Sequence, residues 1–481
     1  MAIGHPRFEA KERRMTQPGT AGNPLRVAII GAGPTGFYTA EHLLKQVNLN
    51  VEIDLFDRVP TPFGLVRAGV APDHQKIKTV TAVFDKTATN PHVRFYGNVE
   101  IGKHLSVDEL KAHYHQIVYT TGAQTDRRMD IPGEDLAGSH PATDFVAWYN
   151  GHPDYRDLQF DLSQEAAAVV GIGNVAIDVA RILCRTPDEL LSSDIADYAL
   201  EALRHSRIRT VYVLGRRGPV QAAFTNPEIK EVGEMADVDV TVPLAEVTLD
   251  PLSQAELDRN NDRTLFRKVE ILQEYARHEP TGKARRLIFR FLVSPTELIG
   301  NDQGHVKTMR LVHNKLVATD TGTLRPKATA ESEEIAVGLV FRSVGYRGVP
   351  VPGVPFKESW GVILNQKGRV LNPETQQPQV GEYTAGWIKR GPNGVIGTNK
   401  PDAVETVSCM LEDLAQGLTL NPTTPDVAAM AALVAARAPD YFSYADWQRL
   451  NEMELRRGQA QGRPRLKFTS VAEMLAALGR A

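Results

Sequence analysis

Gly31-Ala-Gly33-Pro-Thr-Gly36 is the first stretch whose residue types and spacing point to chemistry. It follows directly on the β-branched run Val27-Ala-Ile-Ile30 and leads into Phe37, Ala40, Leu43 and Leu44 at helical spacing. A strand, a GxGxxG turn and a helix in that order form a dinucleotide fingerprint. Gly31 makes the tight turn, Gly33 lets backbone approach a pyrophosphate, and Gly36 allows the helix to pack closely on the strand. Free N–H groups at the helix start then attract the phosphates. The next apolar run, Val51-Glu-Ile-Asp-Leu-Phe56, delivers Asp57, an acid placed to accept a hydrogen bond from a ribose hydroxyl.

A second turn, Gly171-Ile-Gly173-Asn-Val-Ala176, carries the GxGxxA variant of the same fingerprint after Ala167-Ala-Val-Val170. Its following strand, Thr210-Val-Tyr-Val-Leu214, ends in Gly215-Arg216-Arg217 rather than in a carboxylate. Two guanidinium groups there suit a 2′-phosphate, through charge-assisted bonds roughly twice as strong as neutral ones. The gap from Gly171 to Arg216 exceeds the usual ~20 residues, and a polar helical insertion over 187–205 accounts for the excess.

The elements that must position these turns alternate in αβ fashion. A Pro/Gly-rich loop, 61–74, interrupts the rhythm just after Asp57 and is expected to be ordered by what it covers. A helix is expected over 77–87, strands over 93–101 and a helix over 107–113. The apolar run 116–120 enters Thr121-Gly122, and with Ile131-Pro-Gly133 it reads as the return strand of a first nucleotide unit. Residues 246–283 read as acidic helix, while 287–293, 306–312 and 316–318 read as strands of an antiparallel excursion. A second return strand is expected over 335–343, then a proline-rich connector over 350–355. The strand ending at Gly386 opens through a Gly/Pro turn into a helix over 402–416, with Gly417 as its left-handed cap. Alanine-rich helices over 427–436 and 471–478 close the chain.

Composition limits the alternatives. The 481 residues are 42% hydrophobic and 23% charged, with net charge -3, values of an ordinary globular protein and not of a general nucleic-acid or membrane binder. Cys184 and Cys409 make neither a CxxC pair nor a four-ligand metal site, so no cysteine carries the chemistry, no metal is expected, and a reducing, cytoplasmic location fits. No apolar run reaches the roughly 18 residues of a membrane span. Residues 1–24 are polar and lack the apolar core of a signal peptide. They read as a disordered tail, within which Met15 is an alternative start.

GAGPTGFYTAEHL, TPFGLVRAGVAPDH, GNVAIDVARIL, GRRGPVQAAFT, FRSVGYRG and GWIKRGPNGVIGTNK occur in this order between about residues 25 and 410. Together they resemble the ferredoxin–NADP reductases of the adrenodoxin reductase type. The resemblance implies an α/β fold with two Rossmann-like dinucleotide-binding domains of the glutathione/adrenodoxin reductase type, the second inserted into the first, with C-terminal helices. The FAD domain would comprise 25–125 and 345–481, and the NADP domain 126–344. By the same resemblance, Gly31, Gly33, Pro34, Gly36, Asp57, Leu65, Ile101, Trp387, Gly394, Val395 and Ile396 would line FAD. Arg127, Ile172, Gly173, Asn174, Val175, Arg216, Arg217 and Glu228 would hold NADP, with Gly394 near the nicotinamide. His74 and Glu231 match positions beside the hydride-transfer site. Asp57 stands where the family usually has Glu, Asn393 where Thr or Ser is common, and Trp387 where disulfide reductases carry an Asp.

What the resemblance implies mechanistically is hydride transfer from NADPH to flavin N5, then single-electron transfer to a ferredoxin-like iron–sulfur protein. His74 could instead anchor its own turn, Glu231 could lie on a solvated helix face, and Asp73 could cap the following helix. A basic surface at Lys283, Arg285 and Arg286 is a candidate for docking an acidic ferredoxin. Competing readings are an NADPH diaphorase or quinone reductase without a protein acceptor, and a non-catalytic flavin electron-transfer or sensor module. A monomer is favoured.

Overall fold

The computed structural model describes residues 17–480. Leu25–Ile30 is buried at every position and is an interior strand of a seven-stranded sheet. It pairs in parallel with Val51–Asp57 on one side, from Leu25 opposite Val51 to Ile30 opposite Phe56, and with Gln116–Tyr119 on the other. Val93–Gly97 extends one edge in parallel, and Pro378–Thr384 pairs in parallel with Gln116–Tyr119 on the other. A run as apolar as Val27-Ala-Ile-Ile30 is stable only with both sheet faces covered, which is what parallel crossovers provide.

The second sheet has six parallel strands in the order Ser139–Pro141, Leu339–Arg342, Ala166–Val170, Thr210–Leu214, Arg285–Arg290, Val238–Thr241. In both sheets the strand that opens into a glycine turn is flanked by strands reached in opposite directions. Such a reversal leaves a crevice beyond the carboxyl ends, where α/β proteins bind ligands. The sheets are joined where Thr125–Asp126 and Tyr346–Arg347 run antiparallel, outgoing and returning chain side by side. Gln124 N–H donates to Arg347 O at 3.1 Å and Arg127 N–H to Gly345 O at 2.9 Å.

Each sheet has its own core. Phe37, Phe63 and Phe84 pack under the first, with Phe37 and Phe84 stacked at 5.1 Å and Trp447 edge-on to Phe63 at 5.7 Å. Phe145, Trp148 and Phe341 pack against the second. Burying an aromatic ring of this kind stabilises the fold by about 1.5–3 kcal/mol.

Several expectations are corrected. The stretch expected as an excursion strand at 287–293 is Arg285–Arg290 and lies inside the parallel sheet; its alternate positions Leu287 and Phe289 are wholly buried. The antiparallel excursion is instead Val293–Gly300, Val306–Ala318 and Leu324–Ala336. Ile335 belongs to that excursion, and the return strand is only Leu339–Arg342. The helix expected over 77–87 is two short helices, Gln75–Lys78 and Thr81–Ala88. Residues 17–24 are not a loose tail: Gly19 O accepts from Asn50 N–H at 2.9 Å and Gln17 Nε2 donates to Leu414 O at 3.3 Å. Residues 1–16, with Met15, lie outside the described residues. Gly417 caps Asn399–Ala415 as expected, with φ +73° and its N–H on Leu414 O at 3.0 Å. Between the two expected C-terminal helices stands a third, Tyr444–Gln459, whose polar composition hid it; Trp447 and Leu450 anchor it in the first core.

Candidate active site

A cavity of about 700 Å³ opens between the two sheets' carboxyl ends, within the range of built ligand pockets. Gly31, Gly33 and Pro34 line it from the first turn, Asn174 and Val175 from the second. Gly31 has φ +111° and Gly171 φ +138°; a Cβ on either would lie 2.5 Å from Thr120 O or 2.2 Å from Ser343 O respectively. Glycine is therefore required at both by conformation and by contact. A Cβ on Gly36 would lie 2.2 Å from Gly31 O, so its absence lets the helix close on the strand.

The cavity's chemistry fits a dinucleotide. Both helices that start here, Pro34–Leu44 and Asn174–Cys184, are preceded by glycine with no side-chain cap, so their first N–H groups have no such acceptor. A Cβ on Gly33 would meet only Gly64 Cα at 4.0 Å, and one on Gly173 nothing within 4 Å, so open space lies where a pyrophosphate would approach. The buried hydroxyl of Thr121, on the cavity wall, has no hydrogen-bond partner among the described residues. Asp57 lines the cavity, its oxygens accepting from Ala32 N–H at 2.8 Å and Val59 N–H at 3.1 Å, each with a lone pair to spare. Burial raises its carboxyl above the ordinary value against those two bonds.

Leu65, Ile101, Trp387, Gly394, Val395 and Ile396 all lie on the same wall system. Trp387 stacks obliquely on Tyr346 at 5.5 Å and donates Nε1–H to Asn393 O at 3.1 Å. Asn393 Oδ1 also accepts from Arg390, so this position fixes the GPNG turn.

His74 lies at the junction of the two halves, on the cavity wall. Its Nε2 is 2.9 Å from Glu231, and its Nδ1 is 3.8 Å from both Asp178 and Glu228. Arg181, wholly buried, reaches Asp73 at 2.9 Å, Asp178 at 2.8 Å and Glu228 at 3.1 Å. Arg185 reaches Asp73 at 2.9 Å and Glu231 at 2.8 Å. Burial pulls the His74 imidazole down, but the bond to Glu231 and the nearby Asp178 and Glu228 outweigh it and Arg181, raising the group above 6.5. The His74 bond holds the Glu231 carboxyl below its usual range. Burial carries Asp178 up to about 7, with Glu228 and Asp73 adding to it against Arg181 and His74.

Asp73 is thus no helix cap: Gln75–Lys78 starts at His74 without a side-chain cap, and Asp73 is spent on two arginines. Glu231 is on no merely solvated face. Glu228 lines the cavity but is already paired with Arg181. Arg127 is exposed, donates to Trp360 O at 3.4 Å, and lies off the cavity, as do Ile172, Gly173, Arg216 and Arg217. Arg216 is exposed and Arg217 half-buried at their strand end, and among the described residues neither makes a salt bridge. Burial, then Arg216, lowers the Arg217 guanidinium's value. Of the three candidate docking residues Arg285 is buried, whereas Lys283 and Arg286 are exposed; Lys283 donates to Met235 O and Val238 O, both at 3.3 Å, and Arg286 to Thr210 Oγ1 at 3.2 Å. Asp73, Asp178, Arg181 and Arg185 were missed as a group; the available signal was an acid and two bases on one helical face that is otherwise apolar.

Residues 25–231 match the family model described as pyridine nucleotide-disulphide oxidoreductase. The chain is 45% identical over 460 residues to the NADPH-ferredoxin reductase FprA of Mycobacterium tuberculosis, covering 94% of this chain and 98% of that one. It is 41% identical over 467 residues to the mitochondrial NADPH:adrenodoxin oxidoreductase of Salvelinus fontinalis, covering 95% and 91%. The solved structure of Mycobacterium tuberculosis FprA in complex with NADPH superposes with a TM-score of 0.90 at 44% identity, covering 95% of this chain and 100% of that one. Identity at this level along nearly the whole length shows that the chain belongs to the family of NADPH–ferredoxin and adrenodoxin reductases.

Proposed function

We propose that this protein is an FAD-dependent ferredoxin–NADP(+) reductase. The observation that carries the reading is one cavity reached by two uncapped glycine turns, with a half-buried acid at the strand end of the first and, at that of the second, two arginines that make no salt bridge among the described residues. We assign 25–125 with 345–481 to the FAD half and 126–344 to the NADP half.

Bound FAD would supply the redox chemistry, accepting hydride equivalents from NADPH and releasing electrons singly to an iron–sulfur protein. The chain's own residues bind and orient. The N–H groups after Gly33 and Gly173 hold the two pyrophosphates, and Asp57 accepts from a ribose hydroxyl. Arg216 and Arg217 recognise the 2′-phosphate, and Arg127 is assigned to the same nucleotide. Trp387 and Tyr346 exclude water from the flavin side of the cavity. His74, bonded through Nε2 to Glu231, holds a proton there beside the reacting edge, and Arg181 prevents its acidic neighbours from repelling one another. The reading extends to the cytoplasm as location; no described helix is long and apolar enough to cross a membrane.

The test is NADPH-driven cytochrome c reduction by the purified yellow protein, with and without added ferredoxin. A large ferredoxin-dependent gain is expected. Equal rates across several ferredoxins would favour a diaphorase or quinone reductase, and no reduction in either arm a sensor module.

A further inference from the structure

The segment from Arg463 to Thr469 has no regular structure, yet five of its seven residues are buried. Irregular backbone normally runs over the surface because its polar groups need water, so a buried strap must find protein partners for them. This one finds them in both halves of the molecule. Lys467, 5% exposed, directs Nζ to Asn150 O at 3.0 Å, to Asn150 Oδ1 at 3.3 Å and to Arg67 O at 3.4 Å. Its Nζ also lies 3.4 Å from Asp194. Arg67 belongs to the loop that follows Asp57, whereas Asn150 and Asp194 belong to the half built on the second sheet. Asp194 in turn takes Lys78 at 2.7 Å, and its backbone N–H donates to Pro72 O at 3.3 Å, so it too bridges the halves.

Both ends of the strap are held. Arg463, 4% exposed, donates Nε–H to Ser193 O at 3.1 Å and also binds Ile195 O and Asp197. Glu454, wholly buried, accepts from Arg67 Nη1 at 2.9 Å, from Arg465 at 2.9 Å and from Phe468 N–H at 2.9 Å. Arg67 and Asn150 also line the main cavity. One lysine therefore touches a wall residue from each half and is itself fixed by ion pairs along the strap.

We propose that Lys467 is a positioning residue, through which the Arg463–Thr469 strap sets the spacing between the flavin loop and the nicotinamide-nucleotide half and so the distance of hydride transfer. This rests on the reductase reading above. Transfer rates are steep in such spacing: about 1 Å of misplacement can cost on the order of a hundredfold.

The test uses the FAD-loaded Lys467→Met protein, which keeps the length of the side chain and loses its donors. Flavin bleaching by saturating NADPH is followed in rapid mixing, and hydrogen exchange is mapped without NADPH. The limiting bleaching rate should fall about tenfold or more, while FAD content and the NADPH dissociation constant stay within about twofold. Exchange should quicken together at Asp194 and across the flavin loop, not only in the strap. A lower melting temperature with an unchanged limiting rate, or faster exchange confined to 463–469, would overturn the proposal. If Lys467→Met does not fold, Arg463→Met, which releases the strap from Ser193, Ile195 and Asp197, must show the same pair of changes, and its failure to do so also overturns it. A parent protein that NADPH does not bleach would overturn the reductase reading itself, a result separate from any difference between parent and variant.

Discussion

The two dinucleotide turns share a backbone plan and differ in what surrounds it. Each has a glycine at positive φ whose added Cβ would strike a neighbouring strand's carbonyl, and each leads to an 11-residue helix with no side-chain cap. The first helix buries Phe37, Tyr38, Ala40 and Leu43, and its strand-end acid, Asp57, is bonded to the turn's own Ala32 N–H. The second helix buries Asp178 and Arg181 at positions equivalent to Tyr38 and Glu41; of its strand-end arginines Arg216 is open to solvent and Arg217 half-buried, and among the described residues neither makes a salt bridge. The difference teaches that one fingerprint serves two kinds of occupancy. An apolar, internally satisfied setting suits a group that stays, and an open, cationic one suits a group that exchanges.

The sharpest way to break this comparison is to fill the same glycine in each turn. Gly33 and Gly173 have φ of -85° and -107°, so valine is compatible with either backbone, and the space around both is open. Gly33→Val should give folded, colourless protein, with FAD bound at least a hundredfold more weakly, about 2.7 kcal/mol or more. Gly173→Val should remain yellow and lose NADPH affinity instead. A yellow Gly33→Val protein would remove the pyrophosphate role of the first turn.

A smaller effect is expected at the second strand end. Arg216→Ala combined with Arg217→Ala should raise the Michaelis constant for NADPH by roughly a hundredfold, the size of one or two charge-assisted bonds, and leave NADH nearly unaffected. Equal change for both cofactors would sink the 2′-phosphate assignment.

The smallest concerns the buried charges of the second helix. Burial holds the Asp178 carboxyl at about 7 in the folded chain, against an ordinary 3.8. The folded protein thus keeps a proton that the unfolded chain has released, so this group drains stability as pH rises from about 4 to about 7, and the loss is complete above that. Asp178→Asn removes the drain. The variant's stability relative to the parent should climb through this window, read from melting curves at pH 4 to 8. A constant offset would mean that Arg181 keeps Asp178 ionised throughout.

Local patterns were legible where the physics is local. Glycine spacing, β-branched runs and the arginine pair marked both turns, because turn conformation and helix start depend on a few adjacent residues. Gly417 was legible as a cap for the same reason. The strand Arg285–Arg290 was misassigned because an apolar run does not say which sheet will take it; pairing with Thr210–Leu214 and Val238–Thr241 is a choice among distant partners. Tyr444–Gln459 was missed because it is polar along most of its length, and the one buried charge in it, Glu454, is met by the distant Arg67.

By itself, then, the sequence determined the two nucleotide turns, the type of charge at each strand end and the absence of a cysteine pair, all written in short segments. Only the tertiary structure decided that His74 from the first half meets Glu231, Asp178 and Glu228 from the second, and that Lys467 reaches Arg67 and Asn150 at once. Those meetings join residues more than a hundred positions apart. Their energy comes from burying charges together, and that environment exists only once the two halves have closed on each other.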